Sequence, residues 1–364
     1  MGVLKFFASV VRVLHSNPQS ATSDGLDEIA ANAKEFSYIG NRKTLNALVR
    51  EEAEQLLRRL CAIPDKRLEA LKDTEPLLVQ MIQTIRTRAS HQGFAAVNSW
   101  FGSDWEKESG VFPDFLLGLE DAPTFGNGAL LELKDSVSDA IASFNSTIPT
   151  RFKSLEDVKR ISGKSLVLNA ARLYDFPLSV DPQYLAKKRL CFYLVRTHAK
   201  NEDRVKISLA EGSFFETLPK EELLAQVWDQ VLDASGVTPA ERPHIVESLA
   251  SLEQTEIARS REIKGASIKP RLRLMAEVHQ DAKLHSYAEI KPRTVNLVVK
   301  RERGLDESWL QKEFAKEGIQ TELAVDGGAK FLLLSDGKGK TKLRYFVILH
   351  KRNGEHIVLQ YKLR

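Results

Sequence analysis

Acidic and basic side chains stand inside otherwise apolar sequence in one stretch of the chain, Val111 to Asp135, VFPDFLLGLEDAPTFGNGALLELKD. Asp114 follows Phe112-Pro113, and Glu132-Leu133-Lys134 closes an aliphatic run. Gly126-Asn127-Gly128 is a turn signal between them. Gly128 to Lys134 therefore reads as a buried strand, and Phe115 to Leu119 as the strand before it. Side chains alternate faces along a strand, which sends Glu132 and Lys134 one way and Leu133 into the core. If the two strands pair as a hairpin, Asp114 and Glu132 converge with Lys134 beside them. Two carboxylates and an ammonium on a dry sheet suit a divalent cation working on a phosphate. The alternative is a salt bridge from Lys134 to Asp114 or Asp135 on a half-exposed hairpin.

An acid two residues before a lysine carries little weight by itself, since it recurs at Asp157, Glu262, Asp281, Glu289 and Asp336. Asp157 and Glu262 lie in polar stretches of helical character, Asp336 lies in a glycine-rich turn, and none follows a Pro-Asp at suitable distance. The other Pro-Asp, Pro64-Asp65, sits between two helical patterns with no acidic-x-Lys strand behind it.

Pro113-Asp114 followed by Glu132-Leu133-Lys134 resembles the active-site signature of the PD-(D/E)XK nuclease superfamily, to which most type II restriction endonucleases belong. The resemblance covers this stretch and, loosely, the strands after it. It implies that Asp114 and Glu132 hold Mg²⁺ while Lys134 orients or deprotonates the attacking water. The implied reaction is hydrolysis of phosphodiester bonds in double-stranded DNA at a specific sequence. A two-fold homodimer is the simplest assembly for cutting both strands. Several restriction endonucleases carry an extra catalytic glutamate on a helix ahead of the Pro-Asp strand. Glu52, in the stripe of a helix expected from Thr44 to Cys61, could fill that role or be a helix-edge partner of Arg59. The segment beyond the catalytic strand often approaches DNA in these enzymes. Ser143, Asn145, Ser146, Thr147 and Arg151 offer groups for phosphate oxygens or base edges, or form a plain polar loop. Two other functions keep the same core: a structure-specific nuclease of repair or recombination, and a non-catalytic DNA-binding protein.

The elements that must position these residues follow from periodicity. The expected fold class is α/β (α+β): a mixed central sheet of about five strands flanked by helices, a restriction-endonuclease-like core. Residues 1–95 form a helical N-terminal region, with Leu4, Phe7, Val11 and Leu14 on a first helix and Leu26, Ile29, Ala30, Ala33 and Phe36 on a second. Asp73-Thr74-Glu75-Pro76 starts another helix that leads through Arg86, Arg88 and His91 towards the hairpin. Residues 96–260 form the catalytic core, with further strands at Ser165 to Ala171, Arg189 to Arg196 and Val205 to Leu209, then helices from Pro219 and Thr238. Residues 261–364 form a basic C-terminal α/β lobe. It holds a strand at Thr294 to Lys300, a helix at Asp306 to Lys316, and a four-strand meander punctuated by Asp326-Gly327-Gly328, Asp336-Gly337-Lys338 and Asn353-Gly354.

Composition bounds the rest. An apolar fraction of 43% and a charged fraction of 28% are those of a folded globular chain, and they exclude disorder as the default. The net charge of +4 is mild, but Lys and Arg outnumber acids from Arg259 to Arg303 and from Lys330 to Arg364. Lys338, Lys340 and Lys342 cluster at one hairpin there, as a phosphate contact or an ordinary soluble tip. The two cysteines, Cys61 and Cys191, make neither a disulfide framework nor a zinc site. No apolar run reaches membrane-spanning length, and the expected location is cytoplasmic.

Overall fold

Val3, Leu4, Phe6, Phe7, Val10, Val11 and Leu14 recur so densely that the first helix cannot lie on a wet surface, and it is buried on most sides. The computed structural model describes residues 2–33, 39–40, 58–59, 61–74, 76–102, 113–117, 123–138, 141, 143–145, 148–154, 187–198, 204–218, 220–250, 275–279, 282–335 and 340–364. Its N-terminal part holds α1 (Val3–Ser16), α2 (Ser20–Ser23), α3 (Leu26–Asn32), the short strand β1 (Ile39–Gly40), α4 (Asp65–Leu71) and α5 (Pro76–Gly102). The middle holds β2 (Phe115–Leu117), β3 (Ala129–Ser136), β4 (Ser143–Asn145), β5 (Phe152–Lys153), β6 (Arg189–Thr197), β7 (Lys206–Glu211), α6 (Lys220–Ala234) and α7 (Arg242–Ala250). The remainder holds β8 (Met275–Glu277), β9 (Thr294–Lys300), α8 (Glu307–Lys316), β10 (Gln320–Asp326), β11 (Ala329–Ser335), β12 (Lys340–His350) and β13 (Gly354–Lys362).

The fold is mixed α/β. Among the described residues, neighbouring strands run in the order β1-β2-β3-β6-β7-β9-β13-β12-β11-β10, with β5 attached to β6, in an 11-stranded sheet. This is larger than the expected sheet of about five strands. The cause is β9, which pairs in parallel with β7 and antiparallel with β13, so the C-terminal meander continues the same sheet. β6, β7 and β9 are buried along nearly their whole length. That burial on both faces explains their near-continuous apolar runs, LCFYLV and VNLVV. β4 and β8 form a separate two-stranded ribbon.

One face of the sheet closes over α1, α3 and α8. Phe7 and Leu14 from the first expected region, Leu131 and Phe192 from the second, and Phe314 and Ile357 from the third belong to one apolar cluster. The regions 1–95, 96–260 and 261–364 thus share a core and a sheet. On the opposite face, Phe214, Leu284 and Ile290 cover Ala210, Val298 and Val358. The polar stretch 17–25 contains the short helix α2. In α5 the helix breaks at Gly93, whose φ of 77° is left-handed and easily adopted by glycine. The expected strand at 165–171 and most of the expected helix at 44–61 lie outside the described residues.

Polar groups inside the sheet are matched with one another, as burial demands. His285 accepts or donates to Thr197 Oγ1 at 2.7 Å and Ser208 Oγ at 2.9 Å. Asn296 donates to Ile207 O at 3.0 Å, and its amide oxygen accepts from Gln360 Nε2 at 2.9 Å.

Two predictions follow from this packing. Phe7→Ala removes a fully buried ring from the shared cluster, so it should cost about 3–5 kcal/mol and lower the urea midpoint of the whole chain. Loss confined to an N-terminal transition, with the sheet unfolding as before, would show that the cluster is not shared. The second concerns pH. Burial, with Lys206 adding, pushes the His285 pKa down from 6.5 to about 3, and His356 is pushed down to about 4, mainly by burial. The folded chain keeps His285 neutral where the unfolded chain binds a proton. Stability should therefore fall as pH drops from 6.5 towards 3, by up to about 1.4 kcal/mol per pH unit for this group. In urea titrations, His285→Gln should show a shallower acid loss than the parent chain; parallel curves would remove His285 as the cause.

Candidate functional site

The hairpin expected from the sequence is present. β2 and β3 pair antiparallel, with Phe115 opposite Leu131 and Leu117 opposite Ala129. The connecting turn uses left-handed backbone at Gly126 (φ 66°) and Gly128 (φ 70°). Residues distant in the chain, Val3 and Glu313, grip this turn. Val3 N donates to Phe125 O at 3.0 Å, and Phe125 N donates to a Glu313 carboxylate oxygen on α8 at 3.1 Å. The Phe125 ring packs edge-on against Phe192 and Trp309. A side chain at Gly126 would strike Val3, with an added Cβ only 2.3 Å from Val3 Cγ2.

Along β3, Ala129 and Leu131 join the apolar cluster and Leu133 packs against it, so Glu132 and Lys134 turn to the other face. Lys134 Nζ lies 2.7 Å from Glu132 Oε1. Glu132 is only 6% exposed and Lys134 is half-buried, so this is no surface ion pair. Asp114 joins them through the backbone: its Oδ2 accepts from Leu133 N at 2.8 Å, and its own N–H donates to Leu131 O at 2.9 Å. The three expected residues therefore meet at the mouth of one hairpin.

Parallel pairing with β6 supplies the surroundings. Glu132 lies beside Tyr193, Lys134 beside Val195 and Asp135 beside Arg196. Tyr193 is fully buried, and its phenol is pushed well above the usual range by burial, with Cys191 and Glu132 adding. Phe144 of the β4 ribbon packs on Tyr193 at 5.4 Å, and Phe215 on Tyr193 at 5.7 Å. An aromatic wall thus adjoins the carboxylate and raises the strength of charge interactions there by excluding water.

Asp135 does not reach Lys134. It takes Arg196 on the cluster side, with Arg196 Nε at 3.0 Å from Oδ1 and Nη2 bonded to Oδ2. His198 Nε2 stands 3.4 Å from the same carboxylate. Arg196 Nη1 also donates to the carbonyls of Ala21 and Asp24. A buried guanidinium therefore ties α2 and the turn after it to the residue next to Lys134. Sequence reading missed Arg196, Tyr193 and Phe144 as parts of the site, because no local spacing links residues so far apart in the chain.

The other expected residues lie elsewhere. Arg151 sits level with Leu130, about 13 Å along the strand from Lys134, since Cys191 N donates to Arg151 O and Cys191 pairs with Leu130. Its Nε is 2.6 Å from Glu211 Oε1 and its Nη1 bonds Glu302. That hydrogen bond holds the Glu302 carboxyl below its usual range. Arg151 is thereby an anchor between carboxylates. Arg86 is likewise engaged, by Cys61 O, Ile63 O and Asp65. Lys342 meets Asp326 at 2.9 Å and lies over the Phe331 ring, while Lys340 approaches Glu322 at 4.0 Å. Ser143 and Asn145 belong to β4 by backbone. Glu52, Ser146, Thr147 and Lys338 lie outside the described residues.

Among the described residues, no group of three or more His, Cys, Asp and Glu side chains is placed to hold a metal ion. The pair Asp114 and Glu132 offers two carboxylates, the number Mg²⁺ commonly takes from protein when phosphate and water complete its shell. No helix among the described residues is long and apolar enough to cross a membrane. Comparison of the chain with family models, with curated proteins and with solved structures finds no match.

Proposed function

We propose that the protein is a Mg²⁺-dependent endonuclease of the type II restriction class, cutting double-stranded DNA at a specific sequence. The observation that carries this reading is the meeting of Asp114, Glu132 and Lys134 at one hairpin, with Glu132 buried and 2.7 Å from the ammonium of Lys134. A carboxylate and a lysine in a plain fold are seldom drawn under a sheet; a site that works on a phosphate gives them a reason. The run β1-β2-β3-β6-β7 in a mixed sheet, with a parallel crossover from β3 to β6, also suits the core that the resemblance implies.

In this reading Asp114 and Glu132 hold the cation. Mg²⁺, when bound, neutralises charge developing on the scissile phosphate. Leu133 N–H fixes the Asp114 carboxylate against β3, so the acid is preorganised before substrate arrives. Lys134, anchored by Glu132, would hold and orient the attacking water by donating to it from its ammonium. Tyr193 and Phe144 keep solvent from the inner side of Glu132. Cutting both strands of a duplex calls for two such sites, and a two-fold homodimer is the simplest way to supply them.

Lys134→Ala should lower the cleavage rate by about 10²–10⁴-fold, the usual worth of a positioned acid–base group. DNA affinity measured in Ca²⁺ should change little, because it comes from many other contacts. Asp114→Asn should stop cleavage in Mg²⁺ as well. The check is plasmid digestion in Mg²⁺ beside binding in Ca²⁺, with circular dichroism to confirm folding. Folded variants that both cut like the parent chain would remove these residues as the active site.

A further inference from the structure

Strand alternation gives the outer part of the sheet two unlike faces. Leu332 and Leu334 on β11, with Leu343 and Tyr345 on β12, point into the apolar cluster shared with α1 and α8. The residues between them therefore face the other way. Pairing sets these in rows: Glu322, Leu333 and Lys342 in one, Ala324, Phe331 and Arg344 in the next, Gln320, Ser335 and Lys340 in a third. Nearer the middle of the sheet this second face is closed by Phe214, Leu284 and Ile290, and Phe346 packs at the margin of that cover. Beyond it, Phe331 and Leu333 are only half-buried, while Glu322, Asp326, Lys340, Lys342 and Arg344 are exposed.

Along the strands, the charges on this face separate into columns. β10 carries Glu322 and Asp326, β11 carries the apolar Phe331 and Leu333, and β12 carries Lys340, Lys342 and Arg344. Within one copy the lysines bend back across β11. Lys342 reaches Asp326 at 2.9 Å, with its ammonium 3.9 Å from the centre of the Phe331 ring, and Lys340 approaches Glu322 at 4.0 Å. All four charged groups of these pairs are exposed, so each pair does little for the fold and can be exchanged for another at small cost. Arg344 lies over the Phe346 ring at 5.1 Å. An acidic, an apolar and a basic column in that order are complementary to the same face after a half-turn about β11.

We propose that this face of β10, β11 and β12 binds a second copy of the chain about a two-fold axis running along β11. Such a rotation lays β10 of one copy over the partner's β12, and β11 over β11, as an isologous contact requires. Because the axis runs along the strands, each row meets its own row. Glu322 then faces the partner's Lys342, twice in the dimer, and Phe331 and Leu333 meet their counterparts at the centre. The result is an apolar core with a charged rim. Packed sheets stand about 10 Å apart, a gap that opposed Glu and Lys side chains can bridge. β10 ends the sheet among the described residues, so the rest of the partner can extend past that edge. Three strands about 4.8 Å apart and seven residues at about 3.4 Å each give roughly 14 by 24 Å per copy, at the small end of specific interfaces. Association in the micromolar range suits that size. The face lies six strand steps from β3, so the proposal owes nothing to the nuclease reading and does not involve Asp114, Glu132 or Lys134.

The test is sedimentation velocity on the full chain over a micromolar concentration series, without DNA or divalent metal. The parent chain should pass from monomer to dimer across the series. Lys342→Glu sets like charges against each other at two places in the dimer, and so does Glu322→Lys. Each variant alone should raise the dimer Kd by about 100-fold or more, the usual effect of opposed like charges. An equimolar mixture of the two should dimerise again, because Glu322 of the first variant meets Lys342 of the second and the two reversed positions also pair with opposite sign. Lys312→Glu, exposed on α8 at the other face, should associate as the parent does. A parent chain that stays monomeric, single variants that dimerise like the parent, or a mixture that stays monomeric overturns the proposal. A monomeric parent whose affinity for a short DNA duplex falls in Lys342→Glu would give the face to phosphate and overturn it too. Circular dichroism checks the fold of each variant. A salt series on the parent chain gives a reading that needs no variant: the dimer Kd should rise with NaCl because the rim is charged, and a salt-independent Kd counts against this face. Plasmid cleavage in Mg²⁺, scored separately, reports on the nuclease reading alone.

Discussion

The parallel pairing of β3 with β6 is the constraint on which the site depends. Its register sets Glu132 beside Tyr193, Lys134 beside Val195 and Asp135 beside Arg196. A slip by one residue would turn Glu132 and Lys134 into the apolar cluster and Leu131 and Leu133 out of it. The register is held from both sides of the strand. Apolar burial of Leu131 and Phe192 fixes one face, and the Arg196–Asp135 pair marks the position with a charge that has one good partner. Parallel strands need a long crossover, so this pairing joins segments separated by more than fifty residues.

Around that pair, the molecule keeps polar groups dry only where they are answered. Arg196 fills its fork with Asp135 and two carbonyls from the first helices. His285 stays neutral between two hydroxyls, and Asn296 links β7 to Gln360 of β13. Such networks do little for net stability against an apolar core of equal volume, but a mispaired sheet would leave each member unsatisfied. They narrow the possible registers of a sheet whose strands are otherwise rich in interchangeable Val, Ile and Leu. The Glu132–Lys134 pair follows the same rule: the buried carboxylate is answered by the ammonium at 2.7 Å.

The joining of α1 and α8 at the hairpin turn couples the site to the whole fold. α1 begins by donating from Val3 to Phe125 O, and α8 accepts Phe125 N with Glu313. The turn that aims β3 is therefore held by residues from near the start of the chain and from its last third. Sheet, helices and hairpin act as one packed unit, and strain in one part is felt in the others because interiors are close-packed.

Local pattern alone determined much of this architecture. The short aliphatic run from Gly128 to Lys134, bounded by Gly126-Asn127-Gly128, was enough to place a strand and the faces of Glu132, Leu133 and Lys134, because both depend on neighbours in the chain. Asp306 likewise announced its helix, and the side chain caps it through Ser308 and Trp309 N–H groups. The meander strands were legible from their turns. What the chain could not declare was pairing between distant segments. That β9 joins β7 to β13, and so makes one sheet of the expected core and the expected lobe, depends on which buried edges meet in space. The roles of Arg151 and Arg196 depend on such pairing too: one anchors Glu211 and Glu302 and the other holds Asp135. An ionic side chain takes its role from the partner that long-range packing brings within reach, and that partner is decided only when the sheet closes.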